Sequence, residues 1–209
     1  MNTPSLGINE DCLKLTTYFG ERDRTEEGLL GDVLLGIYGE QHLDASVLLR
    51  GTEGFGGLHR LHTDRLLSLS EDLPVVSVAV AARERIEATL RSVLEVEPRG
   101  LITLERARLL SGEIGAVKLP ERLQEATKLT VYVGRQERVG RTPAFAAICE
   151  LLHRHGMAGA IVLLGVDGTI GGYRARAKFF ARNADVPTMV IAVGSGECIA
   201  AVLGELGGL

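Results

Sequence analysis

Three stretches of this chain occur twice, in the same order and at a nearly constant spacing. Lys14-Leu-Thr-Thr-Tyr-Phe-Gly20 returns 114 positions later as Lys128-Leu-Thr-Val-Tyr-Val-Gly134. The same offset carries Val47-Leu-Leu-Arg-Gly-Thr-Glu-Gly54 onto Ile161-Val-Leu-Leu-Gly-Val-Asp-Gly168. Asp72-Leu-Pro-Val-Val-Ser-Val78 falls on Asp185-Val-Pro-Thr-Met-Val-Ile191 after a single deletion. Solenoid repeats run to roughly 20–50 residues, so a period this long means two domain-sized copies. The chain divides into a first domain over 11–110, a linker over 111–126 and a second domain over 127–209. Gly112, Gly115 and Pro120 break the linker.

Within copy one, Leu13, Leu15, Thr17 and Phe19 alternate with more polar neighbours, the period of a strand. The acidic pair Glu26-Glu27 suits the positive end of a helix. From there Leu29, Leu30, Val33, Leu34, Ile37 and Tyr38 recur at helical spacing. Strands follow at Ala45 to Leu49 and, opened by Pro74, at Val75 to Val80. Ile86, Leu90, Val93 and Leu94 mark a second helix, and a last strand starts at Leu101 and runs toward Leu110. This order is βαββαβ, so the predicted class is α+β: two tandem ferredoxin-like units, each an antiparallel sheet with both helices on one face. In copy two the strands are 129–133, 160–164 and 188–193, and the helices 144–155 and 197–206. Its last strand is missing, which leaves an open edge for the linker or a neighbouring chain to fill.

Bulk properties exclude several classes. The three cysteines (Cys12, Cys149 and Cys198) are far apart and form no CxxC, against a disulfide framework or zinc knuckle and in keeping with a reducing cytoplasm. No apolar run reaches the ~18–20 residues of a membrane span. Met1 to Glu10 has no signal-peptide pattern and reads as a floppy leader. A net charge of −4 with no basic block argues against nucleic-acid binding.

The chemistry concentrates in the connection from Arg50 to Leu73, far longer than a hairpin needs. Gly51, Gly54, Gly56 and Gly57 allow close backbone approach to a ligand, and consecutive N–H groups there can form an anion-binding nest. His59, Arg60, His62 and Arg65 follow, and copy two mirrors them with Gly165, Gly168, Gly171, Gly172, Arg174, Arg176 and Lys178. Backbone donors beside Arg and Lys suit a phosphate-bearing ligand.

The segment Gly51-Thr-Glu-Gly-Phe-Gly-Gly-Leu-His-Arg-Leu-His62, with Leu66-Leu-Ser-Leu-Ser-Glu-Asp-Leu-Pro-Val-Val76 downstream, resembles the PII-like signalling proteins, in particular an uncharacterised branch defined as a domain of unknown function. The resemblance covers nearly all of 12–110 and, more weakly, 127–206. It implies trimers of ferredoxin-like units with adenine nucleotides or related molecules in the clefts between them. It also implies a long loop that signals to a transporter, channel or enzyme. The contacts carried over are Gly51, Gly54, Phe55 and Gly56, with Arg99 and Gly100 in the turn before the last strand and His59 and Arg60 opening the loop. Gly165, Gly168 and Arg174 are their candidates in copy two. The loop lacks the tyrosine and basic run that signalling PII proteins modify, and copy two has Thr169-Ile170 in place of Phe55-Gly56. Two domains per chain imply a homotrimer supplying six domains for two stacked rings.

Other readings are weaker. His59 and His62 have an HxxH spacing without a fixed carboxylate or cysteine partner. His153 and His155 suit a helix C-terminus. The GxxG spacings of the RNA-clamping KH loop join helices, whereas these follow strands. Arg174, Arg176 and Lys178 alternate as on an edge strand. No GxSxG, GxxxxGK[ST], HExxH or strand-linked GxGxxG occurs, so no enzyme and no cofactor is expected beyond a regulatory nucleotide. The competing functions are a sensor, a protein-binding scaffold without a small ligand, and a small enzyme or metal-binding protein using His59 and His62.

Overall fold

The computed structural model describes residues 7–55, 61–63, 73–96, 101–111, 127–170, 173–176 and 186–209. Alternation in copy one produces β1 (Gly7–Gly20), followed by the short pair β2 (Arg24–Thr25) and β3 (Gly28–Leu29) and then α1 (Leu30–Glu40). Next come β4 (Ala45–Arg50), the hairpin β5 (Glu53–Phe55) and β6 (Leu61–Thr63), β7 (Pro74–Ala82), α2 (Arg83–Val96) and β8 (Leu101–Ser111). Copy two runs β9 (Thr127–Gly134), β10 (Arg138–Val139), β11 (Thr142–Pro143), α3 (Ala144–Arg154) and β12 (Gly159–Leu164). It continues with β13 (Asp167–Ile170), β14 (Tyr173–Arg176), β15 (Pro187–Gly194) and α4 (Gly196–Leu206). The fold is α+β, with four helices and antiparallel sheets among the described residues.

In copy one the strands lie in the order β4-β7-β1-β8, every neighbour antiparallel. Both helices cover the same face. Leu34, Leu35 and Tyr38 of α1 and Ile86 and Val93 of α2 are fully buried against Leu13, Leu15, Leu48 and Ala79. Copy two repeats this as β12-β15-β9, with Leu151 and Leu152 of α3 and Val202 of α4 packed on Val133, Val190 and Ala192. The remaining faces of the two sheets meet each other through Val47, Val78 and Met189, flanked by Leu49, Val76, Tyr132, Leu163 and Ile191.

The duplication is repeated bond for bond. Gly51 N–H donates to Pro74 C=O at 2.8 Å, and Gly165 N–H to Pro187 C=O at 3.0 Å. Glu21 N–H donates to Leu73 C=O at 2.8 Å, and Arg135 N–H to Val186 C=O at 2.9 Å. Both first helices also end alike, by N–H bonds from Leu43 to Tyr38 and from Met157 to Leu152. The turn there needs a left-handed residue, which is Gly156 (φ 67°) in copy two but His42 (φ 48°) in copy one.

Three expectations need correction. Gly7 to Glu10 is no floppy leader, because it forms the start of β1, with Gly7 opposite Ser111 and Ile8 opposite Leu110. Ser111 accordingly closes β8 and lies outside the linker. Glu26 and Glu27 do not open α1. They sit in the turn between β2 and β3, and the acid in the first helical turn is Asp32.

Two measurements test this packing. A non-glycine residue in the left-handed region costs roughly 1–2 kcal/mol. His42→Gly is therefore expected to raise unfolding stability by about 1 kcal/mol in denaturant titration, after the greater unfolded-state freedom of glycine is subtracted. Glu105 of β8 takes Lys14 at 2.5 Å and Lys128 of the second copy at 3.2 Å. The Lys14 hydrogen bond leads in holding this carboxyl below its ordinary value. Its contribution is therefore present above the usual carboxylate pKa of about 4.3 and is lost as pH falls through the lower folded value. Glu105→Gln is expected to be slightly less stable than wild type at neutral pH, by under ~1 kcal/mol for so exposed a pair, with the difference vanishing in acid.

Candidate functional site

The second copy's glycine run leaves its own sheet. After β12 the chain crosses to copy one and lays β13 antiparallel on β4, pairing Asp167 with Leu48, Gly168 with Val47, Thr169 with Ser46 and Ile170 with Ala45. β14 pairs outside it, so the first sheet has six strands, β14-β13-β4-β7-β1-β8. Val166 N–H donates to Leu48 C=O at 2.9 Å, and the hydroxyls of Ser46 and Thr169, both buried, lie 2.8 Å apart.

Glycine is required here by space. A Cβ on Gly165 would strike Pro187 C=O and lie 2.6 Å from Val47 Cγ2. One on Gly168 would strike Ser46 C=O and lie 2.7 Å from Pro187 Cγ. Real Cβ atoms do not come so near, so the two backbones approach only because both residues lack side chains.

An ion cluster closes the seam. Arg174 Nη2 lies 2.8 Å from Asp167 Oδ2 and 2.5 Å from Asp32 Oδ1 in the first turn of α1. The Asp167 side chain is only 6% exposed, and its Oδ1 also accepts from Gly168 N–H at 2.8 Å. The hydrogen bond that Arg174 donates to Asp167 comes first in raising the guanidinium above its usual value, so the arginine stays charged. Within copy two, Arg135 Nη2 donates to the C=O of Gly165, where the crossing begins, at 2.5 Å.

The sequence candidates thus separate. Gly165, Gly168 and Arg174 come together, as parts of a contact between the two copies, with Arg174 committed to two carboxylates. Gly51 ends β4 against Pro74, whose Cγ is 2.9 Å from where a Cβ would stand. Gly54 and Phe55 lie on β5, with Gly54 opposite His62 and Phe55 opposite Leu61. Gly56, His59, Arg60, Arg99 and Gly100 lie outside the described residues, as do Arg65 and most of the long loop.

Other chemistry finds little support. No group of three His, Cys, Asp or Glu side chains among the described residues is placed to hold a metal ion. Burial pushes the thiols of Cys12 and Cys149 up, away from the reactive thiolate. His155 caps α3 and reaches Glu205 at 2.8 Å, a polar helix end. An open depression of about 470 Å3 beside α3 is lined by Cys149, Glu150, His153 and Arg154, and none of the sequence candidates lines it. Among the described residues no helix is long and apolar enough to cross a membrane.

Residues 12–109 and, separately, 126–209 match one family, DUF190, described as an uncharacterized ACR. The chain belongs to the DUF190 family. It carries the DUF190 unit twice, and the seam joins those units to each other. Among solved structures, the chain is similar to the ligand-free regulatory subunit of aspartate kinase from Thermus thermophilus, at 11% identity and a TM-score of 0.38, covering 96% of this chain and 93% of the other. The corresponding subunit from Thermus flavus matches at 10% identity and a TM-score of 0.37, over 96% and 94% of the two chains.

Asp32, Ser46, Arg135 and Asp167 were not singled out in the sequence, and Thr169 was named only as the residue in place of Phe55. The available signal was the acid before each second glycine, Glu53-Gly54 and Asp167-Gly168. Gly168→Val is expected to cost about 1–3 kcal/mol or more by overpacking against the Ser46 backbone. Arg174→Ala, which leaves Asp167 buried beside a lost cation, is expected to cost about 1–3 kcal/mol. Both are read by thermal denaturation, and a loss under half a kilocalorie for both would contradict the seam described here.

Proposed function

We propose that this DUF190 protein is a PII-like regulatory sensor without enzymatic activity, built from two ferredoxin-like units and acting in the cytoplasm as a homotrimer. It binds a small anionic ligand, an adenine nucleotide first among the candidates, at clefts between domains. The site comprises Gly51, Gly54, Phe55 and Gly56, with His59, Arg60, Arg99 and Gly100 on the loops beside them. Ligand binding orders the long loop and changes the surface offered to a transporter, channel or enzyme. The observation that carries this reading is where the glycine run goes: in copy two it tracks along a boundary between two sheets. The equivalent run in copy one starts from the matching strand end, where Gly51 N–H is taken by Pro74 C=O, and the N–H groups of a glycine run beyond such an end suit an anion. The Phe55-Gly56 pair of copy one, replaced by Thr169-Ile170 in copy two, supports a site in the first domain.

One finding favours a second reading, a scaffold with no small ligand. The copy-two glycines and Arg174 serve a contact between the two domains of the chain, and copy one could use its own run to hold another protein.

A thermal-shift series with ATP, ADP, AMP and cyclic nucleotides separates the two. A ligand specific for the folded state adds RT ln(1 + [L]/Kd), about 2.7 kcal/mol at one hundred times Kd, or several degrees for domains of this size. The sensor reading expects such a shift with one nucleotide and its loss in Arg99→Ala. No shift with any of them at millimolar concentration would leave the scaffold.

A further inference from the structure

The seam between the copies uses one donor hairpin and one acceptor edge, and the duplication supplies a second set of each. The donor is β13–β14, and its counterpart at the repeat offset is β5–β6, with Glu53-Gly54-Phe55 standing where Asp167-Gly168-Thr169 stand. The acceptor is β4, and its counterpart is β12. Within the chain the first set is engaged. The second is not among the described residues, where β5 pairs only with β6 and β12 only with β15.

Burial shows what the missing neighbour does. Ala45, Ser46 and Val47 of β4 are 6%, 0% and 0% exposed. Their counterparts Gly159, Ala160 and Ile161 are all exposed, Ile161 at 55%. Leu164 of β12 itself and Val193 of β15, opposite Gly159, also keep large apolar side chains in water. An open, apolar edge strand of this length is a template for another strand.

We infer that β12 is the docking edge for the β5–β6 hairpin of a second copy of this chain, in the geometry with which β13–β14 already docks on β4. The occupant is a copy of the chain because the complementary hairpin exists in the chain itself and matches the one already docked. The internal register transfers directly: Glu53 opposite Val162, Gly54 opposite Ile161 and Phe55 opposite Ala160. Gly54 then meets the same demand as Gly168, an approach too close for a Cβ. Each chain gives one hairpin and accepts one, so the contact is heterologous and joins chains into a ring where the rotation closes and an open filament where it does not. The inference rests on the fold and needs no nucleotide, so it stands or falls separately from the sensor reading.

The hydrogen-bond alternation of β12 supplies a clean variant. Gly165 N–H points at Pro187 C=O, so the N–H groups of Leu163 and Ile161 also face β15 while that of Ala160 faces outward. Ala160→Pro therefore removes an outward donor and spares the internal ladder, a place where an edge strand tolerates proline. Sedimentation velocity without nucleotide should give an assembly of at least two chains for wild type. For Ala160→Pro it should fall to the mass of one chain, 22.4 kDa, with an unchanged far-ultraviolet spectrum. A wild type that sediments as one chain at micromolar concentration overturns the inference, as does a folded Ala160→Pro that stays assembled. If Ala160→Pro does not fold, oxidation of the double variant Phe55→Cys, Ala160→Cys decides the matter. Directly opposed residues in a hydrogen-bonded pair lie about 5.5 Å apart, within disulfide reach. Chains covalently joined in the double variant and in neither single variant support the register, and absence of that product overturns it.

Discussion

An edge strand leaves every second backbone N–H and C=O facing outward, and when apolar side chains flank that edge, water is a poor partner for the surface as a whole. The relation between the two copies follows from this constraint. β4 carries Ala45, Ser46 and Val47 along its edge, and it is completed by a hairpin that belongs, by sequence, to the other domain. Each backbone bond contributes only about 0.5–1.5 kcal/mol net, so the ladder alone would be a loose clasp. It is tightened by what the ladder brings together: a buried hydroxyl pair, an arginine between two carboxylates, and two glycines that let the backbones close.

The buried carboxylate deserves separate weighing. Replacing a buried ion pair by apolar residues is often neutral, whereas removing one partner is costly. Asp167 and Arg174 thus contribute less to overall stability than to register. A slip of one residue would set Gly168 out of line with Ser46, and a side chain would meet a carbonyl. It would also carry Arg174 away from Asp32. The glycines and the ion cluster penalise the same error from opposite sides of the hairpin.

Much of the architecture was legible because periodicity reports it directly. The alternation at Leu13 to Phe19 and the stripe from Leu30 to Tyr38 each state which face is buried, and the observed elements extend those segments by a few residues. The start of α1 was misplaced because Glu26-Glu27 imitates a helix N-terminus while the turn between β2 and β3 occupies it. The crossing of β13 was not legible, since side-chain pattern specifies the face of a strand and says nothing of which strand lies beside it. The same gap explains why Gly165 and Gly168 read as ligand glycines: a residue that admits a phosphate and one that admits a neighbouring backbone are the same residue. Their distinction lies in Val47 and Pro187, which are distant in the chain and adjacent in space.

The order in which the chain is made gives the crossing hairpin a further consequence. β4 ends at Arg50, and the strand that covers its edge begins at Asp167. On a ribosome adding roughly 5–20 residues each second, the first domain would wait on the order of 6–25 seconds with that edge open. Contacts so far apart in sequence also close slowly once both halves exist. During that interval the nascent chain presents a strand edge to any neighbour on the same message, and such neighbours carry the hairpin that fits it. The ribosomes of a polysome therefore hold, side by side, unfinished chains whose first domains are open and finished chains able to fill them, so early exchange of hairpins between copies is the hazard that this tandem design must outrun.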